Sequence, residues 1–302
     1  MQEVAQHAIS GQRMAEALND ITGRTRGRWH WMRYDDPSPE KMIEMRDELL
    51  DHVAAHAAQD PALSDETARA ALRTAAECSL GALSVGCFPN GDQEIDFPLI
   101  DEQLSSEYIA FDCVVEQAPT AETWLDTFTM CLISGLIGEH QRVIGLMLRS
   151  DYAPAIREGV PYSSLTSASR PADLVAMDAL CAYLTEASGH LPHGWPTVPL
   201  CKPDPVELAE AARRLDAVGH LTPDQQLLRV LLEDDQHAFE EALVARLVDH
   251  RGSAGVDSSP RELLPVGVVA VAALAVQVHG WELGVRSGYL PDVLLGSPVA
   301  LQ

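Results

Sequence analysis

The run Leu263 to Val278, LLPVGVVAVAALAVQV, constrains this chain more than any other stretch, because Gln277 is its single polar side chain and it has no face to turn to water. It is shorter than the roughly 18 apolar residues a membrane span needs, and with Pro265 near its start it reads as a buried helix. The rest of the chain supplies a cover for it. Alanine-rich amphipathic segments dominate, β-branched alternation is scarce, and the helical period fits almost everywhere. The fold class expected is all-α, with helical hairpins packed around the very apolar C-terminal helix. A short strand pair is expected near residues 87–119, where Pro89, Gly91, Pro98 and Pro119 interrupt any helix.

Residues 1–34 read as an N-terminal extension that ends in the basic, aromatic stretch GRTRGRWHWMRY, and residues 35–302 as a single all-helical domain. After DDPSP, a helix face of Met42, Met45, Leu49 and Val53 runs to Gln59, and a second helix over 65–86 carries Leu72, Ala75, Ser79 and Leu83. Leu125, Phe128, Leu132 and Leu136 form a stripe that Val143 and Met147 continue. Pro171 and Pro205 stand where first-turn prolines belong, with Gly189 and Gly219 placed to end those helices. Thr222 with Gln225, and Ser259 with Glu262, have the spacing of capping boxes, the second opening the apolar helix. Between them a helix over 236–250 turns Phe239, Ala242, Leu243 and Leu247 inward.

Forty-five Asp and Glu against 21 Lys and Arg give a formal charge of -24, a surface that repels a nucleic-acid backbone. The opening MQEVAQHAIS has no basic segment followed by an apolar one, and the six cysteines form no CxxC pair. The expectation is a cytoplasmic protein with reduced thiols that engages neither nucleic acid nor membrane.

Chemistry-bearing residues are scattered. Glu48, His52 and His56 share one helical face at metal-chelating spacing, but no third protein ligand can be assigned beside the two imidazoles, and a solvated face is the better reading. His190 and His193 lie in a Pro/Gly loop. Arg24, Arg26, Arg28 and Arg33, interleaved with Trp29, His30 and Trp31, have the composition of a phosphate or carboxylate grip; pairing with the chain's own carboxylates is the simpler expectation. Asp178 sits within LVAMDALCAYL, so burial is expected to raise its pKa unless an arginine or another donor meets it. Asp234, Asp235 and His237 occupy a helix junction suited to capping. No GxSxG elbow or P-loop occurs, and neither a metal nor a cofactor is expected.

The order of ETWLDTFTMCLISGL, MDALCAYL, LLEDDQHAFEEALVARLVDH and the small, apolar helix ending in VRSGYLPDVLL resembles the Immunity 49 family of bacterial polymorphic-toxin immunity proteins. The likeness spans roughly residues 40–296 and is strongest after Trp124, with the SxYLPxxLL ending at Ser287 to Leu295 among its nearest features. Gly288 stands where the family commonly has an aspartate, so any contact made by that acid is lost here. The resemblance implies a non-enzymatic, all-helical inhibitor that binds a toxin encoded nearby.

The leading expectation is therefore an immunity-type inhibitor with a basic toxin as partner, since acidic surface speeds association with a basic one. Its candidate binding residues are Trp124, Asp178, Asp234, Asp235, His237 and Tyr289. The alternative is a small-molecule enzyme with an apolar pocket, in which Asp178 and His237 do acid/base work while Trp124 and Tyr289 shape the site.

Overall fold

A helix without a polar face has to be wrapped, and the computed structural model of the protein shows what wraps it. The structure describes residues 2–139, 142–185, 200–255 and 257–296. The chain enters through a short strand, β1 (Gln2–Val4), and two helices, α1 (Gly11–Leu18) and α2 (Ile21–Tyr34). A long helical hairpin follows, α3 (Pro39–Gln59) and α4 (Glu66–Cys87), the most extensively packed pair of elements. The strands β2 (Glu94–Phe97) and β3 (Glu102–Ser105) then pair antiparallel with Ile95 opposite Leu104, inside the 87–119 window.

The helix α5 (Ala121–Ile133) leads to the short helices α6 (Ile144–Met147) and α7 (Ala153–Glu158), joined by a π-helical turn at Leu148–Tyr152. The second half is a series of helices: α8 (Pro171–Cys181), α9 (Pro205–Ala217), α10 (Pro223–Leu231), α11 (Gln236–Ser253) and the apolar α12 (Val266–Gln277). It closes with β4 (Val285–Ser287) and α13 (Asp292–Leu295). The fold is all-α apart from two small strand pairs among the described residues.

Every residue of α12 from Val268 to Ala275 is buried, under α5, α10, α11 and α13. The helix begins later than the capping-box spacing indicates. Pro265 lacks the N–H that a continuous helix needs, so Pro260–Leu263 forms a separate 3₁₀ turn and α12 starts at Val266. Ser259 makes no side-chain cap there; its hydroxyl turns to Asp51 on α3, while Ser258 Oγ donates to Glu262 at 2.8 Å.

A second boundary also moves. The α5 stripe stops at Ile133 because Gly135 adopts φ 82°, which turns the chain before Leu136, so Val143 and Met147 belong to a different element. Other local signals operate as read: Pro171 and Pro205 open α8 and α9, Gly219 at φ 84° follows α9, and Thr222 with Gln225 forms a reciprocal cap on α10. A further capping box, Asp204 with Glu207, opens α9. Gly189 lies outside the described residues.

Residues 2–34 lie on the helical body. Ile21, Trp29 and Met32 reach the core, α1 and α2 pack on α3, and β1 pairs parallel with β4, joining the two ends of the chain. Ser287 Oγ secures that joint by donating to the Val4 carbonyl at 2.7 Å.

The hairpin depends on small residues. A Cβ on Gly81 of α4 would come within 2.9 Å of the Ile95 side chain, so glycine is what lets β2 close on the helix. Gly81→Val is expected to destabilise the protein by about 2–3 kcal/mol through overpacking. Gly27→Ala on α2, where a Cβ meets nothing within 4 Å, is expected to stabilise it by about 0.5–1 kcal/mol through helix propensity. Urea unfolding midpoints test both, and equal midpoints for the Gly81 variant and the wild type would remove close approach as the reason for that glycine.

Candidate functional site

Placing the sequence-derived residues in the fold divides them sharply. Trp124 and Tyr289 are completely buried. Trp124 stacks on Phe128 at 5.4 Å and donates its indole N–H to the Leu148 carbonyl at 2.9 Å, so it anchors α5 to the π turn and presents nothing to a partner. The Tyr289 hydroxyl accepts the His7 backbone N–H at 2.8 Å and meets His7 Nδ1 at 2.7 Å, tying the chain ends together. Both rings, expected at a binding surface, lie in the core with no exposed surface.

Asp178 is half-buried and held by Arg157, whose Nε donates to Oδ1 at 2.9 Å. An arginine partner for this acid is therefore present. Asp235 caps α11 by accepting from the backbone N–H of His237 and Ala238, and His237 itself is exposed, 3.6 Å from Glu241. No hydrogen bond or ion pair joins His237 to Asp178 among the described residues.

Asp234 belongs to a network that the sequence did not announce. Its Oδ1 accepts from His279 Nδ1 at 2.7 Å and from Lys202 Nζ at 2.6 Å, while His279 Nε2 accepts from the Tyr183 hydroxyl at 2.9 Å. The carboxylate fixes the imidazole tautomer, and the tautomer fixes the direction of the tyrosine bond. Asp234 reaches this position only with φ 56°, a strained backbone for a non-glycine residue. Burial pushes the Tyr183 hydroxyl pKa up and holds His279 below the ordinary histidine range, against the opposing pull of Asp234. Tyr183 and the His279 side chain have no exposed surface, so the chain of bonds staples the end of α12 to the α8 and α10 termini and meets solvent only at Asp234 and Lys202.

The carboxylates most fully buried are Asp173 and Glu77, neither singled out by sequence. Asp173 accepts from Arg170 Nε at 2.7 Å and Gln225 Nε2 at 2.8 Å, linking the first turns of α8 and α10. These groups line a cleft of about 300 Å³ between α5, α8, α10 and α12. Beside them Asp224 accepts from Arg246 Nε at 2.7 Å and lies against Gly267, where a Cβ would displace the carboxylate from its present position. Glu77 is paired with Arg142 at 3.0 Å; burial pushes its carboxyl pKa up and the arginine opposes that. Every charge buried here already has a partner of opposite sign.

The metal-type spacing on α3 does not assemble. Glu48 is drawn to Arg24 and Arg28, away from the imidazoles, and His52 is buried with Nδ1 donating to the Ala17 carbonyl at 3.0 Å. No group of three potential ligands converges among the described residues, and His190 and His193 lie outside them. The basic stretch itself splits: Arg24 and Arg28 pair with Glu44 and Glu48, whereas the exposed Arg26 and the half-buried Arg33 make no ion pair among the described residues.

Gly288 sits in a tight local environment. The Gln6 side chain occupies the space a Cβ would need, at 2.7 Å, and its Nε2 donates to the Leu263 carbonyl at 2.9 Å. The family model described as Immunity protein 49 matches residues 59–294. No curated protein and no solved structure matches the chain.

The buried His279 makes stability depend on pH with a definite sign. Its folded pKa lies below the unfolded value of 6.5, so its contribution is complete above about pH 6.5 and is lost as the pH falls below that, by up to about 1.4 kcal/mol per pH unit. Wild type and His279→Gln are expected to differ most in urea midpoint at pH 7.5 and to converge toward pH 5.5. Groups shared by both proteins cancel in the comparison, and a difference independent of pH would contradict the assignment.

Proposed function

The chain belongs to the Immunity protein 49 family, and from that premise we propose that it neutralises a bacterial toxin in the cytoplasm by stoichiometric binding. The observation that carries the reading is the family match across residues 59–294, most of the chain. The fold is compatible with inhibition by contact: its buried acids are spent on holding helices together, and the remaining carboxylates form an acidic exterior.

We further assign the toxin a basic surface. A formal charge of -24 sets up a field that draws a cationic protein from solution and orients it before contact. Asp234 and Asp235 at the α10–α11 junction add to that field from the surface. The acid/base pair of the enzyme alternative is not brought together, since Asp178 is paired with Arg157 and His237 stands apart in solvent.

Co-expression with a cognate toxin domain, sought among the neighbouring genes, is expected to restore growth, and the purified pair is expected to run as an equimolar complex. The association rate is expected to fall about tenfold or more between 50 and 500 mM salt, with the dissociation rate changing much less. An association rate indifferent to salt would reject the basic partner, and a toxin that neither binds nor is silenced would reject the immunity reading itself.

A further inference from the structure

We infer that the outward face of α2, together with Tyr108, is the docking surface for the toxin, and that Arg33 receives a carboxylate of that partner. The inference rests on the immunity reading and names the face that performs it. On this face Trp31, Tyr34 and Tyr108 are 52%, 64% and 71% exposed, large rings that the chain's own core does not use. The Arg33 guanidinium lies 5.7 Å from the Tyr34 ring centre, 5.4 Å from Tyr108 and 5.4 Å from the buried Trp29, while Lys41 Nζ, paired with Glu44, stands 5.4 Å over the Trp31 ring.

Rings over its faces strip water from a guanidinium but leave its in-plane N–H edges free. Those edges are unmatched here: in a chain where acids outnumber bases by 45 to 21, Arg33 is half-buried yet makes no ion pair among the described residues. Arg26 and His30 lie on the same helical face, at spacings of four and three residues, and they too are exposed without a carboxylate. The planar fork of Arg33 suits two parallel bonds to one carboxylate, and Trp, Tyr and Arg are the side chains that dominate binding energy when an interface covers them.

Charge decides the kind of partner. The unmatched cations are too few to hold a polyanion against the field of the whole molecule, so a protein surface is favoured over a nucleic-acid strand. Asp35, Asp36 and Glu107, next in sequence to Tyr34 and Tyr108, give the ring cluster an acidic border. A basic toxin fits this arrangement by packing apolar side chains and one carboxylate on the centre while its cations meet the border.

The test measures binding of the toxin domain that rescues growth in the co-expression experiment, made by cell-free synthesis, to the wild type and to surface variants with unchanged thermal midpoints. Trp31→Ala, Tyr34→Ala, Tyr108→Ala and Arg33→Ala are each expected to raise Kd about thirtyfold or more, and Arg33→Lys is expected not to recover the loss. Val206→Ser on α9 and Val248→Ser on α11, equally exposed apolar sites elsewhere, are expected to leave Kd unchanged. Tight wild-type binding with all four face variants unaffected overturns this surface and leaves the immunity reading standing; no wild-type binding overturns both. Face-dependent binding of a dT20 oligonucleotide, or a face-dependent change in the chain's own sedimentation, would give the surface to a nucleic acid or to a second copy and overturn the assignment.

Discussion

A twelve-residue helix with no polar face sets the terms for the rest of this molecule. Because α12 offers nothing to water, every direction around it has to be filled by another element, and α5, α10, α11 and α13 fill them. Alternating valine and alanine keep its radius small and let those helices approach closely, at densities where a single added methylene is felt. The ends of such a helix are the difficult part, since their unpaired backbone groups and flanking polar residues have to be accommodated where the apolar surface stops. At one end Asp224 lies over Gly267 and is held by Arg246; at the other Gln277 donates to the Leu295 carbonyl at 2.9 Å, and His279 is locked between Tyr183 and Asp234. The polar networks of the second half are thus concentrated where α12 ends, and their placement follows from its apolarity.

That view also explains why acid groups resembling catalytic ones do something else here. A buried carboxylate is tolerated when a cation or several donors meet it, and losing one partner is costly because the other charge is left stranded. Asp173 with Arg170 and Gln225, and Glu77 with Arg142, satisfy that condition from within the chain. They fix the relative positions of helices whose contact surfaces are otherwise made of interchangeable alanines and leucines. Directional bonds of this kind specify one arrangement among several that hydrophobic burial alone would allow, which is the property a rigid binding protein needs.

Much of the fold was legible because its strongest signals are local. The apolar run, the first-turn prolines of α8 and α9, Gly219 and the Thr222–Gln225 cap all act within a few residues of themselves. Boundaries moved where one residue overrode a longer pattern: Pro265 delayed α12, and Gly135 cut the α5 stripe short. The site was much less legible, for a geometric reason. Asp178 has apolar neighbours along the sequence, but Asp173 lies about 140° around the same helix, and only the direction from which α5 and α10 approach decides which acid is covered. In sequence Asp173 looks like an ordinary first-turn acid. Trp124 and Tyr289 were equally ambiguous, since a large ring is an anchor in a core or at an interface, and sequence does not say which surface will meet it. Arg33 escaped for the opposite reason: its neighbours Arg24 and Arg28 do pair with carboxylates, and one reading applied to all four arginines hid the two that do not.

The N-terminal segment carries the final step of the argument. The family match begins at residue 59, yet groups inside the matched part depend on atoms that precede it. β4 finds its only strand partner among the described residues in β1, and Gln6 lies beside Gly288 while bonding to Leu263 at the approach to α12. The space beside position 288 is therefore filled by a side chain supplied from the far end of the chain, and any larger residue there would require Gln6 to shift. A segment that stabilises the body in this way is held rigid by it in return. Rigidity is what an exposed cluster of aromatic rings requires to present a fixed surface, because side chains already ordered before binding lose less entropy on contact. The same contacts that attach α2 to α3 thus hold Trp31, Arg33 and Tyr34 in a defined geometry at the surface.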